Sequence, residues 1–219
     1  LYGGEDKLSL PAANSPARIG RQYHREWRRQ GRDVEGFEYG MADVKKAFRR
    51  VPVMHCGLLA FVVWDPHRQV AAIFLLSGFN FGTVSAVMGW NRAPAFICHV
   101  ARRLLAVPVI GYYDDFGVGG GSGERGTGLA ALEGVNRHIF GFAPDKTIAM
   151  TQGPIVAVGV MHDFTCTPNT GTIRVGVTQE RKDSVCAHIA QVQESGWATR
   201  SDCSKLFGKA RYVFCPVFG

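Results

Sequence analysis

Two adjacent acids inside a β-forming segment limit what this chain can fold into more than any other feature. The segment GYYDDFGV, residues 111–118, is rich in aromatic side chains, and Asp114 and Asp115 lie at its centre. Aromatic and branched residues favour strands, whereas neighbouring carboxylates repel one another and resist burial. The pattern therefore indicates either the polar tip of a hairpin or one part of a metal site.

Asp43 is the residue that would complete such a site. Side chains alternate along a strand, so Asp114 and Asp115 face one site together only if the chain bends between them. Asp43 lies near the end of FEYGMADV, residues 37–44, which has the pattern of a strand and is followed by a short turn. Two such strands side by side would gather carboxylates at one sheet edge, and a divalent cation such as Mg²⁺ would keep them ionised.

The remaining segments predict an α+β fold in which helices pack on a mostly antiparallel sheet. Besides the two acidic strands, the predicted strands are an apolar hairpin formed by residues 58–64 and 70–76, and residues 151–160. The predicted helices are residues 18–32 (closed by Gly31), 85–106 (N-capped by Ser85 and kinked or divided at Pro94), 129–140, 178–194 and 201–214. Residues 1–17 contain helix breakers and are predicted to be loop.

The charge of the chain points to a polyanionic partner. The formal net charge is +7, and residues 18–50 hold ten Arg or Lys against five acids. A basic stripe of this kind suits nucleic acid, although a solvated helix face is the alternative. No apolar run is long enough to cross a bilayer, so we expect no membrane partner.

The cysteines and the ends of the chain give two further expectations. The six cysteines match no zinc-binding spacing, and we expect reduced thiols in an intracellular protein, nuclear or cytoplasmic. The chain opens on LYGGEDKLSL and stops on CPVFG, from which we expect a piece of a longer protein.

Six segments then occur in an order that resembles one enzyme family. YYDDF (112–116) resembles the Y-x-D-D hairpin of reverse transcriptases, motif C of the polymerase palm, and DVKKAFRRVPV (43–53) resembles motif A. FGTVSA (81–86), GFAPDKT (141–147) and VAVGV (156–160) resemble motifs B, D and E, and KLFGKARYVF (205–214) resembles the segment after the palm in retrotransposon enzymes. The resemblance covers roughly residues 37–215 and implies the palm domain of a retrotransposon-type reverse transcriptase.

The resemblance implies a domain division and an activity. Residues 1–36 would be a basic segment from partial fingers or a linker, residues 37–176 the palm, and residues 177–219 helices at the junction with the thumb. The activity would be template-directed DNA synthesis, in which deoxynucleoside triphosphates are added to a primer 3′-OH. The implied partners are an RNA (or DNA) template and a DNA or RNA primer, and the implied cofactor is a pair of Mg²⁺ ions, with Mn²⁺ as a substitute.

The resemblance also assigns catalytic and metal-binding roles. Asp43 and Asp114 would be the principal metal ligands, with Asp115 assisting and the backbone carbonyl of Val44 also facing a metal. Lys146 would lie near the triphosphate and stabilise charge or donate a proton to pyrophosphate.

Six more residues receive roles around the nucleotide and the primer. Phe48 would be the aromatic gate that clashes with a ribose 2′-hydroxyl and so favours deoxynucleotides. The nucleotide and template side would be lined by Phe81, Gly82 and Ser85, and the primer end would be flanked by Tyr112 and Tyr113.

The chain departs from the family pattern in ways that leave alternatives open. Val87 stands where motif B usually has proline, and only 42 residues precede Asp43, fewer than the fingers normally need. A catalytically inactive palm remnant that folds and binds nucleic acid through its basic segment is therefore the alternative. RNA-dependent RNA polymerases share the palm but carry a G-D-D hairpin and an Asp where Phe48 stands, so DNA synthesis is favoured.

The glycine-rich segment after the acids admits two interpretations. Gly121, Gly123 and Gly126 match the dinucleotide-binding pattern G-x-G-x-x-G between a strand and a helix. The strand before it carries acids instead of being apolar, and further glycines surround the match. We therefore predict a flexible linker rather than a phosphate-binding loop.

Overall fold

A computed structural model of the protein describes residues 11–32, 35–80, 84–124 and 126–218. In chain order the helices are α1 (Ser15–Arg29), α2 (Val84–Leu104), α3 (Thr127–His138), α4 (Thr167–Thr170), α5 (Gln179–Ser195) and α6 (Arg200–Phe218). The strands are β1 (Phe37–Val44), β2 (Ala60–Asp65), β3 (Val70–Leu75), β4 (Val109–Tyr112), β5 (Asp115–Gly121), β6 (Pro144–Thr151), β7 (Ile155–Ala157), β8 (Val160–Asp163) and β9 (Arg174–Gly176). A 3₁₀ turn, Ala47–Arg50, follows β1.

A four-stranded sheet with the order β4-β5-β1-β6 forms the centre of the fold, and all its neighbouring strands are antiparallel. A second sheet is the hairpin β2–β3, and a third contains β7, β8 and β9. The expectation of an α+β fold with a mostly antiparallel sheet and packed helices is confirmed.

The central sheet is covered on both faces because side chains alternate along its strands. One face presents Ala42, Val44, Phe116 and Val118 to a core shared with α2 and α3. The opposite face presents a second set of buried side chains to α1 and the β7–β8–β9 sheet. This second core contains Phe37, Tyr39, Ile110, Ile155, Ala157 and Phe164, with Ile19 and Tyr23 of α1 packed against it.

The glycines after the acids belong to the buried strand β5, and the prediction of a flexible linker is wrong. A Cβ atom on Gly119 would lie 2.6 Å from the Phe37 ring, and one on Gly121 would lie 2.9 Å from Trp27. A Cβ on Gly117 would overlap the hydroxyl of Tyr39. Glycine is required here because aromatic rings from β1 and α1 lie directly on the strand backbone.

The region after α3 differs most from expectation. Residues 151–160 do not form one strand: β7 and β8 are joined by a tight turn in which Val158 and Gly159 both have positive φ, 50° and 75°. Positive φ at both central residues is typical of a two-residue hairpin turn. Strand β6 (Pro144–Thr151) was not predicted, and its polar, largely exposed sequence explains why.

Two helix starts and one proline also behave differently from the prediction. Helix α1 begins at Ser15, inside the predicted loop, because Pro16 occupies the first turn, where proline needs no hydrogen-bond partner. Ser85 lies inside α2 rather than capping it, and α2 continues through Pro94 without dividing. Gly31 has a φ of 64°, the left-handed conformation that favours glycine just after a helix.

The apolar hairpin is confirmed, with β2 and β3 joined by the turn at residues 66–69. It is exposed on both faces: the paired residues Val62 and Ile73 are 71% and 70% exposed. Helices α5 and α6 pack against each other. Within the described part of the chain, no helix combines the length and apolar character needed to cross a membrane.

We predict that Gly117→Ala destabilises the protein by about 2 kcal/mol, the range expected when a well-packed site is overfilled. The matched control is Gly134→Ala in α3, where an added Cβ meets no atom within 4 Å. That substitution should be neutral or stabilising, because alanine favours helix over glycine. Urea unfolding of both variants measures the difference, and equal midpoints would contradict the packing of Tyr39 on β5.

Candidate active site

The strand register brings the three predicted acids to one end of the central sheet. Asp43 of β1 pairs with Asp115 of β5, and Tyr112 of β4 pairs with the same Asp115. Tyr113 and Asp114 therefore form the turn of the β4–β5 hairpin. The backbone amide of Val44 donates a hydrogen bond to the carbonyl of Asp114, 3.1 Å away, and ties the turn to β1.

The chain bends at the two adjacent acids, as the sequence analysis required if both were to face one site. Asp114 lies in the turn, whereas Asp115 is the first residue of β5. Tyr113 has a φ of 54°, which is costly for a bulky side chain. Its carbonyl accepts a hydrogen bond from the indole Nε1 of Trp90 at 2.9 Å, and Trp90 is fully buried. Helix α2 thus holds the hairpin in this conformation.

A cavity of about 320 Å³ opens beside these acids. Its lining residues are Asp43, Val44, Lys46, Ala47, Phe48, Arg49, Asp114 and Asp145. Phe48 is 8% exposed, and its ring packs against Trp90 with the centroids 5.9 Å apart. The buried aromatic side chain therefore gives one wall of the cavity a fixed position.

Burial and crowding make Asp43 and Asp115 reluctant to ionise. The pKa of Asp43 is raised from 3.8 to about 6, first by burial and then by Asp114, Asp115 and Asp145. The pKa of Asp115 is also raised, by burial and by Asp114. One buried carboxylate oxygen of Asp43, Oδ1, has no hydrogen-bond partner in the described part of the chain. Such a site favours an added positive charge.

The carboxylates fit a hard divalent cation whose coordination shell is completed by water and a bound ligand. Among the described residues, no group of three or more His, Cys, Asp or Glu side chains is arranged to hold a metal ion. Mg²⁺ often takes only one or two protein carboxylates and completes its coordination with water and substrate phosphates. Asp43, with its unpartnered oxygen, and Asp114, on the same cavity, meet that smaller requirement.

None of the other predicted site residues in the described parts of the chain, including Asp115, lines the cavity. Lys146 is exposed on β6 and does not line the cavity. Ser85, Tyr112 and Tyr113 do not line it either, although the rings of Tyr112 and Tyr113 contact each other at the hairpin with centroids 4.9 Å apart. Phe81 and Gly82 lie outside the described residues.

The sequence analysis gave no site role to four lining residues: Lys46, Ala47, Arg49 and Asp145. Asp145 lies next to Lys146, and its neighbour Pro144 pairs with Val44, which brings the start of β6 to the acids. The carboxylate directly before the motif lysine was the available signal. Lys46 and Arg49 were noted as part of the basic segment and of the motif A segment, but neither was given a role of its own.

Comparison with protein-family models and with curated protein sequences gives no match. Among solved structures, the chain is similar to the foamy viral protease-reverse transcriptase in complex with an RNA/DNA hybrid, with a TM-score of 0.57 and 11% identity over 80% of this chain and 21% of that chain. It is also similar to the foamy viral protease-reverse transcriptase dRH in complex with double-stranded DNA, with a TM-score of 0.58 and 12% identity over 80% of this chain and 27% of that chain. The chain therefore has a reverse-transcriptase-like fold and spans well under a third of the length of these two proteins.

We predict that Asp43→Asn stabilises the metal-free protein at high pH. The folded-state pKa of about 6 lies above the ordinary value of 3.8, so ionisation of Asp43 costs stability as the pH rises through 6. Since Asp43 is only partly buried, we expect a gain of about 1 kcal/mol at pH 8 and little difference at pH 4.

Urea unfolding in the presence of a chelator at both pH values measures this effect. The control is Glu38→Gln, which removes a carboxylate from the same strand without touching the cavity. An equal pH dependence for the two variants would contradict the crowding of acids around Asp43.

Proposed function

We propose that this chain is the palm of a retrotransposon-type RNA-directed DNA polymerase and transfers deoxynucleotides to a primer 3′-OH on an RNA or DNA template. The observation that carries the proposal is the placement of Asp43 and Asp114 on one cavity by the pairing of β1 with the β4–β5 hairpin. The reverse-transcriptase-like fold and the order of the motifs along the chain support it.

Asp43 and Asp114 would hold Mg²⁺, with Asp115 and the Val44 carbonyl assisting, and Mn²⁺ would substitute. When bound, the two ions supply charge neutralisation on the phosphates and a more acidic primer hydroxyl. The protein contributes position: the Val44–Asp114 hydrogen bond fixes the two strands that carry the ligands. Catalysis in phosphoryl transfer rests mostly on such positioning and on electrostatic stabilisation.

The neighbouring residues would select and orient the substrates. Phe48 would exclude a ribose 2′-hydroxyl, and Ser85, with Phe81 and Gly82, would line the nucleotide and template side. Tyr112 and Tyr113 lie at the hairpin turn, where they would flank the primer end. Lys146, outside the cavity, would neutralise charge on the outgoing pyrophosphate.

A second candidate is nucleic-acid binding without catalysis. It is favoured by helix α1, which has a basic surface on which Arg18, Arg21, Arg25, Arg28 and Arg29 are exposed. Such a surface suits the phosphate backbone of a duplex.

We predict that Asp114→Asn abolishes Mg²⁺-dependent primer extension on an RNA template, with a rate loss of at least about 10³-fold, because a metal-binding carboxylate is removed. Binding of an RNA–DNA hybrid by the same variant should be largely retained. The control, Asp183→Asn, removes an acid on α5. If the wild-type chain binds the hybrid but adds no nucleotide, the non-catalytic candidate is the correct one.

We predict that Phe48→Val lowers the discrimination between deoxynucleotides and ribonucleotides by about tenfold or more, because the lost ring frees space beside the sugar. The matched control is Phe142→Val, since Phe142 is also buried and packs on Trp90 at 5.5 Å but does not line the cavity. The ratio of kcat/KM for the two sugars is the measurement. The gate role fails if both variants change this ratio equally.

A further inference from the structure

A second cavity, away from the acids, forms a groove of about 1610 Å³ that is lined by α1, by α2 and by β4 with the residues just before it. It shares no lining residue with the cavity beside the acids. Helices α1 and α2 pack on opposite faces of the central sheet, and β4 is an edge strand of that sheet. The α1–α2 groove therefore passes over the sheet edge and is separate from the candidate active site.

The shape of the α1–α2 groove suits an extended ligand. Its wall along α1 reaches from Ser15 to Trp27, which at about 1.5 Å per residue is about 18 Å. Its volume exceeds the roughly 300–1,000 Å³ that is typical of small-molecule sites. A flexible chain fills such a groove better than a compact metabolite does.

The lining of the groove is positively charged. Its four arginines are all exposed: Arg18, Arg32, Arg92 and Arg102. Among the described lining residues the one acid is Glu26, and its carboxylate is already held by Arg29 at 2.6 Å. The groove thus has an excess of positive charge, which is complementary to a polyanion.

Aromatic rings and side-chain amides lie among these cations. Tyr23 and Trp27 belong to the α1 wall, with their ring centroids 5.4 Å apart, and Gln22 and Asn91 add polar groups from the two helices. Proteins that bind single-stranded nucleic acid combine a basic groove with aromatic side chains on which the bases stack. Trp27 is buried whereas Tyr23 is half-buried, so Tyr23 is the ring that a base can reach.

The edge of β4 makes a peptide a poor occupant of the groove. Peptides often bind an exposed sheet edge by adding a strand to it. Here Arg102 donates two hydrogen bonds to the Val109 carbonyl, from Nε at 2.9 Å and from Nη2 at 2.7 Å. An added strand would have to displace this cation to reach that carbonyl. A phosphate would not, because a guanidinium has five N–H donors and these two hydrogen bonds leave some of them for an anion.

We propose that the α1–α2 groove binds single-stranded nucleic acid outside the paired primer and template. The phosphates would lie against Arg18 and Arg32, and a base would stack on Tyr23. The inference goes beyond the proposed function, because this binding needs neither the acids nor a metal ion. A second binding surface of this kind would keep an unpaired stretch of the same nucleic acid close to the chain and raise its effective concentration.

The test is the fluorescence anisotropy of a labelled oligouridylate, measured at several salt concentrations. Arg18→Gln and Arg32→Gln should each weaken binding about fivefold and reduce the slope of log K against log salt by about 0.7, the value for one phosphate contact on a single strand. Tyr23→Leu should weaken binding at least about fivefold, because the stacking surface is lost. Tyr23→Phe keeps the ring and should stay within about twofold of wild type.

The matched controls are Arg21→Gln and Arg25→Gln, which remove equal charges from exposed positions of α1 outside the groove. Screened surface charges contribute little, so both controls should stay within about twofold of wild type. Asp114→Asn should bind the oligouridylate normally, and an excess of blunt-ended RNA–DNA hybrid should not displace it, because the two cavities share no residue.

Four outcomes overturn the inference. They are the failure of the wild-type chain to bind the oligouridylate, an equal loss in Arg21→Gln, displacement by the blunt-ended hybrid, and tighter binding of polyglutamate than of the oligouridylate. The second would assign the binding to the outer arginines of α1, the third to a single site shared with the duplex, and the fourth to an acidic protein partner.

The failure of this inference can be told apart from the failure of the proposed function. If the wild-type chain adds no nucleotide but binds the oligouridylate in an Arg18-dependent way, the polymerase activity fails and the groove stands. If primer extension proceeds while Arg18→Gln, Arg32→Gln and Tyr23→Leu bind the oligouridylate as wild type does, the groove fails and the polymerase activity stands.

Discussion

The antiparallel pairing of β1 with β5 places Asp43 opposite Asp115 and, in the same register, Tyr39 opposite Gly119. Because both pairings belong to one register, the position of Asp43 and the packing of Tyr39 can only change together. A slip of one residue would turn every side chain of β1 to the other face of the sheet. Phe37 and Tyr39 would then lie on the face of the sheet that carries Phe116 and Val118, and Asp43 would leave the cavity. The glycines of β5 therefore help to fix the position of the acids, because in the observed register they leave room for the aromatic side chains of β1.

Trp90 connects the core to the candidate site, which lies at the end of the paired strands β1 and β5. Its indole nitrogen holds the carbonyl of Tyr113 in the hairpin turn, and its ring packs on both Phe48 and Phe142. Two residues next to the cavity, Lys46 and Tyr113, have left-handed backbones without being glycine. Strain and crowded carboxylates are thus concentrated at one end of the sheet, while the two apolar cores on its faces supply the stability that offsets them.

The sequence predicted the parts of this arrangement that have local signals. Asp43, Asp114 and Asp115 stand out because acids interrupt strand-forming segments, and the β2–β3 hairpin follows from two apolar runs around a turn. The glycine-rich strand was missed because its stability comes from rings supplied by Phe37, Tyr39 and Trp27, which are distant in sequence. Strand β6 lacks an apolar pattern, and Asp145 reaches the cavity only because β6 pairs with β1. The roles of the site residues and the division into domains stay predictions, since the fold alone does not decide them.

The opposed charges of the cavity have a consequence for how it would bind its ligands. In the free protein, burial and the neighbouring acids raise the pKa of Asp43, and nothing in the described structure pairs Lys46 or Arg49 with a carboxylate. A divalent cation would stabilise the ionised carboxylates but would add positive charge near Lys46 and Arg49. A triphosphate alone would neutralise Lys46 and Arg49 but would add negative charge near three carboxylates. Each ligand therefore lowers the cost of binding the other, and by linkage the enhancement must be equal in both directions. Under the proposed function, the nucleotide would therefore arrive with its cation already bound.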